Sequence, residues 1–174
     1  MNFQRVFFAL KPDDSVRQQI AAVASALLTD NGKPIAEANL HLTLVFLGAV
    51  PESQLHNIIT AATEIPFTEF SLHIDRIGWW QKPAVLWLGC SQAPPAVLEL
   101  AASLRGLIQA QGLPLGNQQF QPHITVAKKV SQAVAGCSFA PIHWRCDSFC
   151  LLESVFDTSG VEYRLLHKWP KSQT

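Results

Sequence analysis

Two short segments of the sequence carry a histidine and a threonine in the same order. Residues 41–44 read His-Leu-Thr-Leu, and residues 123–126 read His-Ile-Thr-Val. In a chain with six histidines, one such tetrapeptide is expected about 0.06 times by chance, so two copies are a strong signal. In a β-strand the histidine and the threonine point to one face and the apolar residues to the other. Each segment therefore predicts a strand with one polar face and one face for the core.

Paired imidazoles that face one cleft suit a general acid and a general base, because both titrate near neutral pH. Displacement at phosphorus proceeds in line, so His41 and His123 can each serve one side of the phosphorus atom. The hydroxyls of Thr43 and Thr125 can donate hydrogen bonds to the non-bridging oxygens. This chemistry requires no metal ion, no cofactor and no nucleophilic side chain. Symmetry alone leaves open which histidine is the acid.

The rest of the chain must hold these two strands. Helices are predicted to begin near Pro12, Pro51 and Pro94, each followed by apolar residues at helical spacing. Residues 78–83 predict a turn with exposed tryptophans. Three helices among about seven strands favour an α+β fold with antiparallel pairing. The predicted strands span residues 4–10, 40–47, 70–74, 85–89, 122–127, 144–155 and 162–169.

Composition limits the class of protein. The chain has 174 residues, 48% of them hydrophobic and 15% charged, which excludes disorder and predicts one domain. The apolar run at residues 6–10 is too short to span a membrane, so we expect a cytoplasmic protein. We also expect a monomer. The net charge is zero, but residues 1–75 hold four basic and eight acidic side chains. Such asymmetry can mark a face for an anionic partner, and with zero net charge a small phosphate-bearing target fits better than a broad nucleic-acid clamp. The alternative is a chance scatter of surface charge.

The four cysteines offer a competing metal hypothesis. His143, Cys146 and Cys150 are close in sequence, but along one continuous strand the two thiols would be about 13 Å apart. Zinc–sulfur bonds are about 2.3 Å, so this spacing excludes a shared ion. We therefore predict reduced thiols and no metal site.

The chain resembles the bacterial RNA 2′,3′-cyclic phosphodiesterases, which are 2′-5′ RNA ligase-like members of the two-histidine (2H) phosphoesterase superfamily. Both His-x-Thr segments carry the resemblance. So do the start Arg-Val-Phe-Phe-Ala-Leu at 5–10, the extension Val-Phe-Leu-Gly at 45–48 and the strand Val-Leu-Trp-Leu-Gly at 85–89.

The resemblance implies two pseudo-symmetric lobes, each an antiparallel sheet with helices packed outside, around a central cleft. The halves would be residues 1–82 and 83–174 of a single domain, 1–174. The implied reaction is metal-independent hydrolysis of a terminal 2′,3′-cyclic phosphate on RNA to a 2′-phosphate. Near equilibrium, the reverse reaction would join RNA ends through a 2′-5′ linkage. By position, His41 would be the proton donor and His123 the proton acceptor.

The other candidate substrate-binding residues are not repeated in both segments as the histidines and threonines are. Lys128 stands where relatives often carry arginine, and Ala84 also replaces a frequent arginine. An extended strand would point Lys128 away from Thr125, so a twist or bulge is needed to bring its ammonium to the phosphate. Phe7, Trp79 and Trp80 are candidates for stacking on the terminal base, with core packing as the alternative.

The sequence leaves two other functions open. One is a non-catalytic module that binds nucleotides or RNA ends in the same cleft. The other is a 2H phosphodiesterase that acts on a small cyclic nucleotide metabolite.

Overall fold

The computed structural model describes residues 2–28 and 30–170. The predicted domain limits at residues 1 and 174 lie outside these residues. The α-helices of the described part are α1 (Asp14–Leu27), α2 (Glu52–Ala62) and α3 (Pro95–Ala110). Its strands are β1 (Phe3–Leu10), β2 (Lys33–Pro34), β3 (Leu42–Pro51), β4 (Phe70–Ile74), β5 (Arg76–Trp80), β6 (Val85–Gly89), β7 (His123–Lys128), β8 (Ile142–Cys146), β9 (Phe149–Asp157) and β10 (Gly160–Trp169).

The helices begin where the sequence predicts. The Asp13 carboxylate caps α1 by accepting a hydrogen bond from the Val16 backbone N–H at 2.8 Å. Pro51 and Pro94 directly precede α2 and α3. Each helix buries one apolar face against the sheets, as the spacing of its apolar residues requires. None of the helices described is long and apolar enough to cross a membrane.

The strands form a large antiparallel sheet and a separate β4–β8 pair. The large sheet has the order β10-β9-β1-β3-β7-β6-β5, and β2 pairs with β7. Its two sides meet between β3 and β7 at a single register position, Leu42 opposite Ile124. The α+β class, the antiparallel sheets and the packing of helices outside are confirmed.

One side of the sheet takes strands from both ends of the chain. The side β10-β9-β1-β3 combines the first strands with the last two, and the other side pairs β5 with β6. The division into halves at residues 82 and 83 stays a prediction.

Two local predictions were wrong. Residues 144–155 do not form one strand, because Asp147 and Ser148 separate β8 from β9 and the two strands join different sheets. Residues 78–80 belong to β5 and not to a turn, because they pair with β6 and their tryptophans are half-buried.

Because β8 and β9 are separate strands, the distance along one continuous strand does not separate Cys146 from Cys150. All four cysteines are free. Cys146 and Cys150 lie on different strands and line one small cavity of about 270 Å³. Burial raises the pKa of the Cys150 thiol to about 12 and that of Cys90 to about 11. Those two thiols are therefore protonated and unreactive at neutral pH.

Candidate active site

The two His-x-Thr segments meet at the centre of the large sheet. His123 is the first residue of β7, and His41 directly precedes β3. The antiparallel register that pairs Leu42 with Ile124 puts His41 next to Thr125 and Thr43 next to His123. Leu42 and Ile124 are fully buried.

The four polar residues flanking that pair are half-buried on the opposite face. The alternation predicted from the sequence is confirmed, and an approximate twofold axis passes through the Leu42–Ile124 pair. The register thus brings two imidazoles and two hydroxyls together on one face.

Both imidazoles are anchored in the same way. Nδ1 of His41 lies 2.7 Å from the Asn39 carbonyl oxygen, and Nδ1 of His123 lies 2.8 Å from that of Gln121. A carbonyl oxygen only accepts, so Nδ1 carries the proton in both rings and donates it. Each Nε2 is thereby left for chemistry on the polar face.

The two Nε2 atoms differ in their contacts. Nε2 of His41 lies 3.0 Å from Oγ1 of Thr43. Nε2 of His123 has no hydrogen-bond partner among residues 2–28 and 30–170. A doubly protonated His41 would have acceptors for both N–H groups, whereas His123 offers an open position.

Burial lowers the pKa of both histidines below the ordinary value of 6.5, because the imidazolium is desolvated. The Asn39 and Gln121 carbonyls oppose this by stabilising the charged rings. The positive charges of His123, Lys11 and Lys128 lower the pKa of His41 further. A charge on His123 is therefore close enough to disfavour a second charge on His41.

Aromatic rings surround each histidine. Phe7 is 2% exposed, and its ring centroid lies 5.0 Å from that of His41. Tyr163 meets His41 edge-on at 4.9 Å. On the other side, the ring of Trp80 lies 4.6 Å from that of His123. Phe7 therefore packs behind a histidine and offers little surface to a base, whereas Trp80 is half-exposed beside one.

Trp79 does not join this site. Its side chain packs against the core, and its Nε1 donates a hydrogen bond to the Val130 carbonyl at 2.9 Å. Successive residues of a strand point to opposite faces, so Trp79 and Trp80 cannot both face His123.

Lys128 reaches the polar face through a β-bulge. Thr125 pairs with Trp87, but Ala127 pairs with the very next residue, Leu86, which leaves Val126 as an extra residue in β7. The bulge shifts the alternation by one residue, so Lys128 shares a face with Thr125. Both side chains line one groove with His123.

The first segment repeats the bulge. Thr43 pairs with Ala9 and Val45 with Phe8, so Leu44 is the extra residue in β3. Phe46 then occupies the position that Lys128 occupies in the second segment. Phe46 is 47% exposed, and the Arg5 guanidinium lies 4.8 Å from its ring centre.

Two open grooves meet at His123. One, of about 620 Å³, contains Trp80, Lys82, Thr125 and Lys128, and the other, of about 560 Å³, contains Thr43 and Phe46. The first groove thus carries two lysines, and the second carries Phe46 together with the cationic side chain of Arg105.

Some functional candidates were missed by sequence reasoning. Phe46 could have been found by aligning the two segments, because it follows His41 by five residues as Lys128 follows His123. Tyr163 gave no signal, because it comes from β10 near the other end of the chain.

His73 lies on the separate two-stranded sheet, where it pairs with His143. In the described part of the chain, no three His, Cys, Asp or Glu residues stand together as a metal site.

A sheet that brings two His-x-Thr segments to one cleft defines the class of two-histidine phosphoesterases. The chain belongs to the 2′-5′ RNA ligase superfamily, whose family model matches residues 12–157. The RNA 2′,3′-cyclic phosphodiesterase of Escherichia coli K12 is 33% identical over 175 residues, covering 98% of each chain. That of Archaeoglobus fulgidus is 30% identical and covers 92% of this chain and 96% of its own.

The comparison of structures agrees with the comparison of sequences. The crystal structure of E. coli LigT complexed with 3′-AMP has a TM-score of 0.92 and 32% identity, covering 99% of this chain and 100% of that one. The resemblance inferred from the sequence is thereby confirmed.

Proposed function

We propose that this protein hydrolyses the 2′,3′-cyclic phosphate at the end of an RNA to a 2′-phosphate without a metal ion. The observation that carries the proposal is the pair of Nδ1-anchored imidazoles flanking the Leu42–Ile124 pair. The relatives named as RNA 2′,3′-cyclic phosphodiesterases support the substrate class. We further propose that the protein acts as a monomer in the cytoplasm.

In the proposed reaction, Nε2 of His123 accepts a proton from the attacking water as its oxygen bonds to phosphorus. The bond between phosphorus and the 3′ oxygen breaks, and Nε2–H of His41 donates its proton to that oxygen. The open Nε2 of His123 and the two satisfied N–H groups of a charged His41 support this assignment of base and acid.

Thr43, Thr125 and Lys128 complete the phosphate site. When Oγ1 of Thr43 accepts from His41, its own hydroxyl proton is free for a non-bridging phosphate oxygen. Lys128 and Thr125 line the same groove and supply a positive charge and a second hydroxyl. With a 5′-hydroxyl in place of water, the same groups would form a 2′-5′ linkage.

The test is incubation of the protein with a short RNA that ends in a 2′,3′-cyclic phosphate, in the presence of EDTA. We expect hydrolysis to continue and the product to carry a 2′-phosphate. Loss of activity that Zn²⁺ or Mn²⁺ restores would contradict the metal-free mechanism. Binding without turnover would identify a non-catalytic module, and turnover of a cyclic mononucleotide alone would identify a small-metabolite enzyme.

A further inference from the structure

Four lysines lie together at the end of β7 where it leaves the catalytic face. Lys33 on β2 stands directly opposite Lys128 on β7, and Lys129 follows Lys128. Lys82 and Lys128 line the same groove as His123. All four are exposed, and we call them the lysine rim.

The rim is held by hydrogen bonds between three distant segments of the chain. The Val130 backbone N–H donates to the Ala84 carbonyl at 2.9 Å, which joins the segment after Lys129 to the segment after Lys82. The Asn31 side chain accepts from the Ser131 backbone N–H at 2.8 Å and donates to the Gln132 carbonyl at 3.1 Å. The segments that carry the lysines are therefore joined to one another by hydrogen bonds.

The charge of the rim is not neutralised within the described residues. The ion pairs found there involve Arg17, Arg145 and Arg164, and none involves a lysine. Asp30 is the one acidic residue in the adjoining segment, residues 30–34. Concentrating four unpaired cations in a protein of zero net charge raises the local potential and favours a polyanion.

One terminal phosphate does not account for four cations. The bulge in β7 brings Lys128 to the face of Thr125, and Lys128 suffices for that phosphate. Lys33 and Lys129 do not line the groove, but Lys33 stands opposite Lys128 and Lys129 follows it directly. They are therefore available to further phosphates of a longer ligand.

We propose that the lysine rim binds the phosphodiester backbone of the nucleotides that precede the cyclic phosphate, so that Lys33 and Lys129 add affinity for a longer strand. The inference rests on the proposed function for the identity of the strand. Contacts between lysines and phosphates do not distinguish one base from another, so the lysine rim would contribute affinity without sequence preference.

The test compares the wild type with the double variant Lys33→Gln/Lys129→Gln. Fluorescence anisotropy measures binding of an RNA octamer that ends in a 2′-phosphate and of a nucleoside 2′-phosphate, over a salt titration. We expect the double variant to bind the octamer about 2- to 30-fold more weakly and the nucleoside phosphate equally well. The slope of log affinity against log salt should shrink by about 1.4, or about 0.7 for each lost contact.

The matched control is Lys168→Gln. Lys168 is an exposed lysine on β10, at the opposite edge of the sheet, and its loss should change neither ligand. An unchanged salt slope in the double variant, or an equal loss in the control, would overturn the inference. Because this readout needs no turnover, a failure of the RNA to be hydrolysed would count against the proposed function alone.

Discussion

The two histidines have the same backbone anchor but different surroundings. His41 is enclosed by Phe7 and Tyr163 and bonds to Thr43, whereas His123 lies beside Trp80 at the meeting point of two grooves. An enclosed ring holds its proton in a fixed direction, and an open ring can be reached by water. These differences support the proposed roles of His41 as acid and His123 as base, which the symmetric sequence pattern could not distinguish.

Lys128 should set the pH dependence as well as the affinity. Its positive charge lowers the pKa of His41, so Lys128→Gln should raise that pKa and keep the imidazolium to higher pH. We expect the alkaline limb of the bell-shaped rate profile, which His41 sets as the acid, to move to higher pH and the KM to rise. Rates measured from pH 5 to pH 9 check this, with Lys168→Gln as the control. A profile that stays in place would contradict contact between Lys128 and the site.

The neighbouring tryptophans should separate binding from stability. Trp80→Ala should raise KM about 5- to 150-fold, because stacking on a base contributes about 1–3 kcal/mol. Trp79→Phe should leave KM unchanged and lower the unfolding free energy by about 1 kcal/mol, because it removes the hydrogen bond to Val130. Steady-state kinetics and thermal unfolding of both variants distinguish these effects. Equal KM values for the two variants would place the stacking surface elsewhere.

At the scale of elements, the bulges at Leu44 and Val126 decide which residues face the cleft. Strand periodicity predicted the faces of the histidines and threonines, because those residues precede the bulges. It misplaced Lys128 and gave no reason to consider Phe46, because a bulge depends on the partner strand and not on local sequence. The split between β8 and β9 was missed for the same reason, since the strands pair with different partners.

Strand β5 supports the site through a close approach of Gly78 to Trp87. A Cβ at Gly78 would lie 1.9 Å from Cζ2 of Trp87, whose ring contacts both Trp80 and His123. Gly78→Ala should therefore displace Trp87, lower the unfolding free energy by about 1–3 kcal/mol and reduce turnover.

Gly106→Ala is the matched control for this change. Gly106 lies within α3 with nothing inside 4 Å of its Cβ position, so alanine there should stabilise the protein by about 0.5–1 kcal/mol. Chemical denaturation and activity measurements of both variants make the comparison. If Gly78→Ala were as stable and active as Gly106→Ala, the packing of Trp87 would not support the site.

At the scale of the whole molecule, the partial burial of His41 and His123 should lower the stability of the fold in acid. Well above pH 6.5 both rings of the ligand-free protein are largely neutral whether the chain is folded or unfolded, so they hardly affect stability. Below pH 6.5 the unfolded chain takes up protons first, because the folded pKa values are lower. The unfolding free energy should therefore fall as the pH drops, by at most about 1.4 kcal/mol per pH unit for each ring.

Denaturant titrations from pH 7.5 to pH 5 of the wild type and of His41→Gln/His123→Gln measure this contribution. The fall should be smaller in the double variant. An identical fall in both proteins would show that other groups determine the acid sensitivity.

The most direct test of the central claim is turnover of RNA 2′,3′-cyclic phosphate by His41→Ala, His123→Ala and the double variant, with folding checked by thermal unfolding. Each single change should slow turnover by about 10²- to 10⁴-fold, and the double variant should be little worse because the two residues act as a unit. A substrate with a much better leaving group at the 3′ position should partly rescue His41→Ala and not His123→Ala. Rescue of His123→Ala instead would exchange the roles, and full activity of either folded single variant on the natural substrate would contradict the two-histidine mechanism.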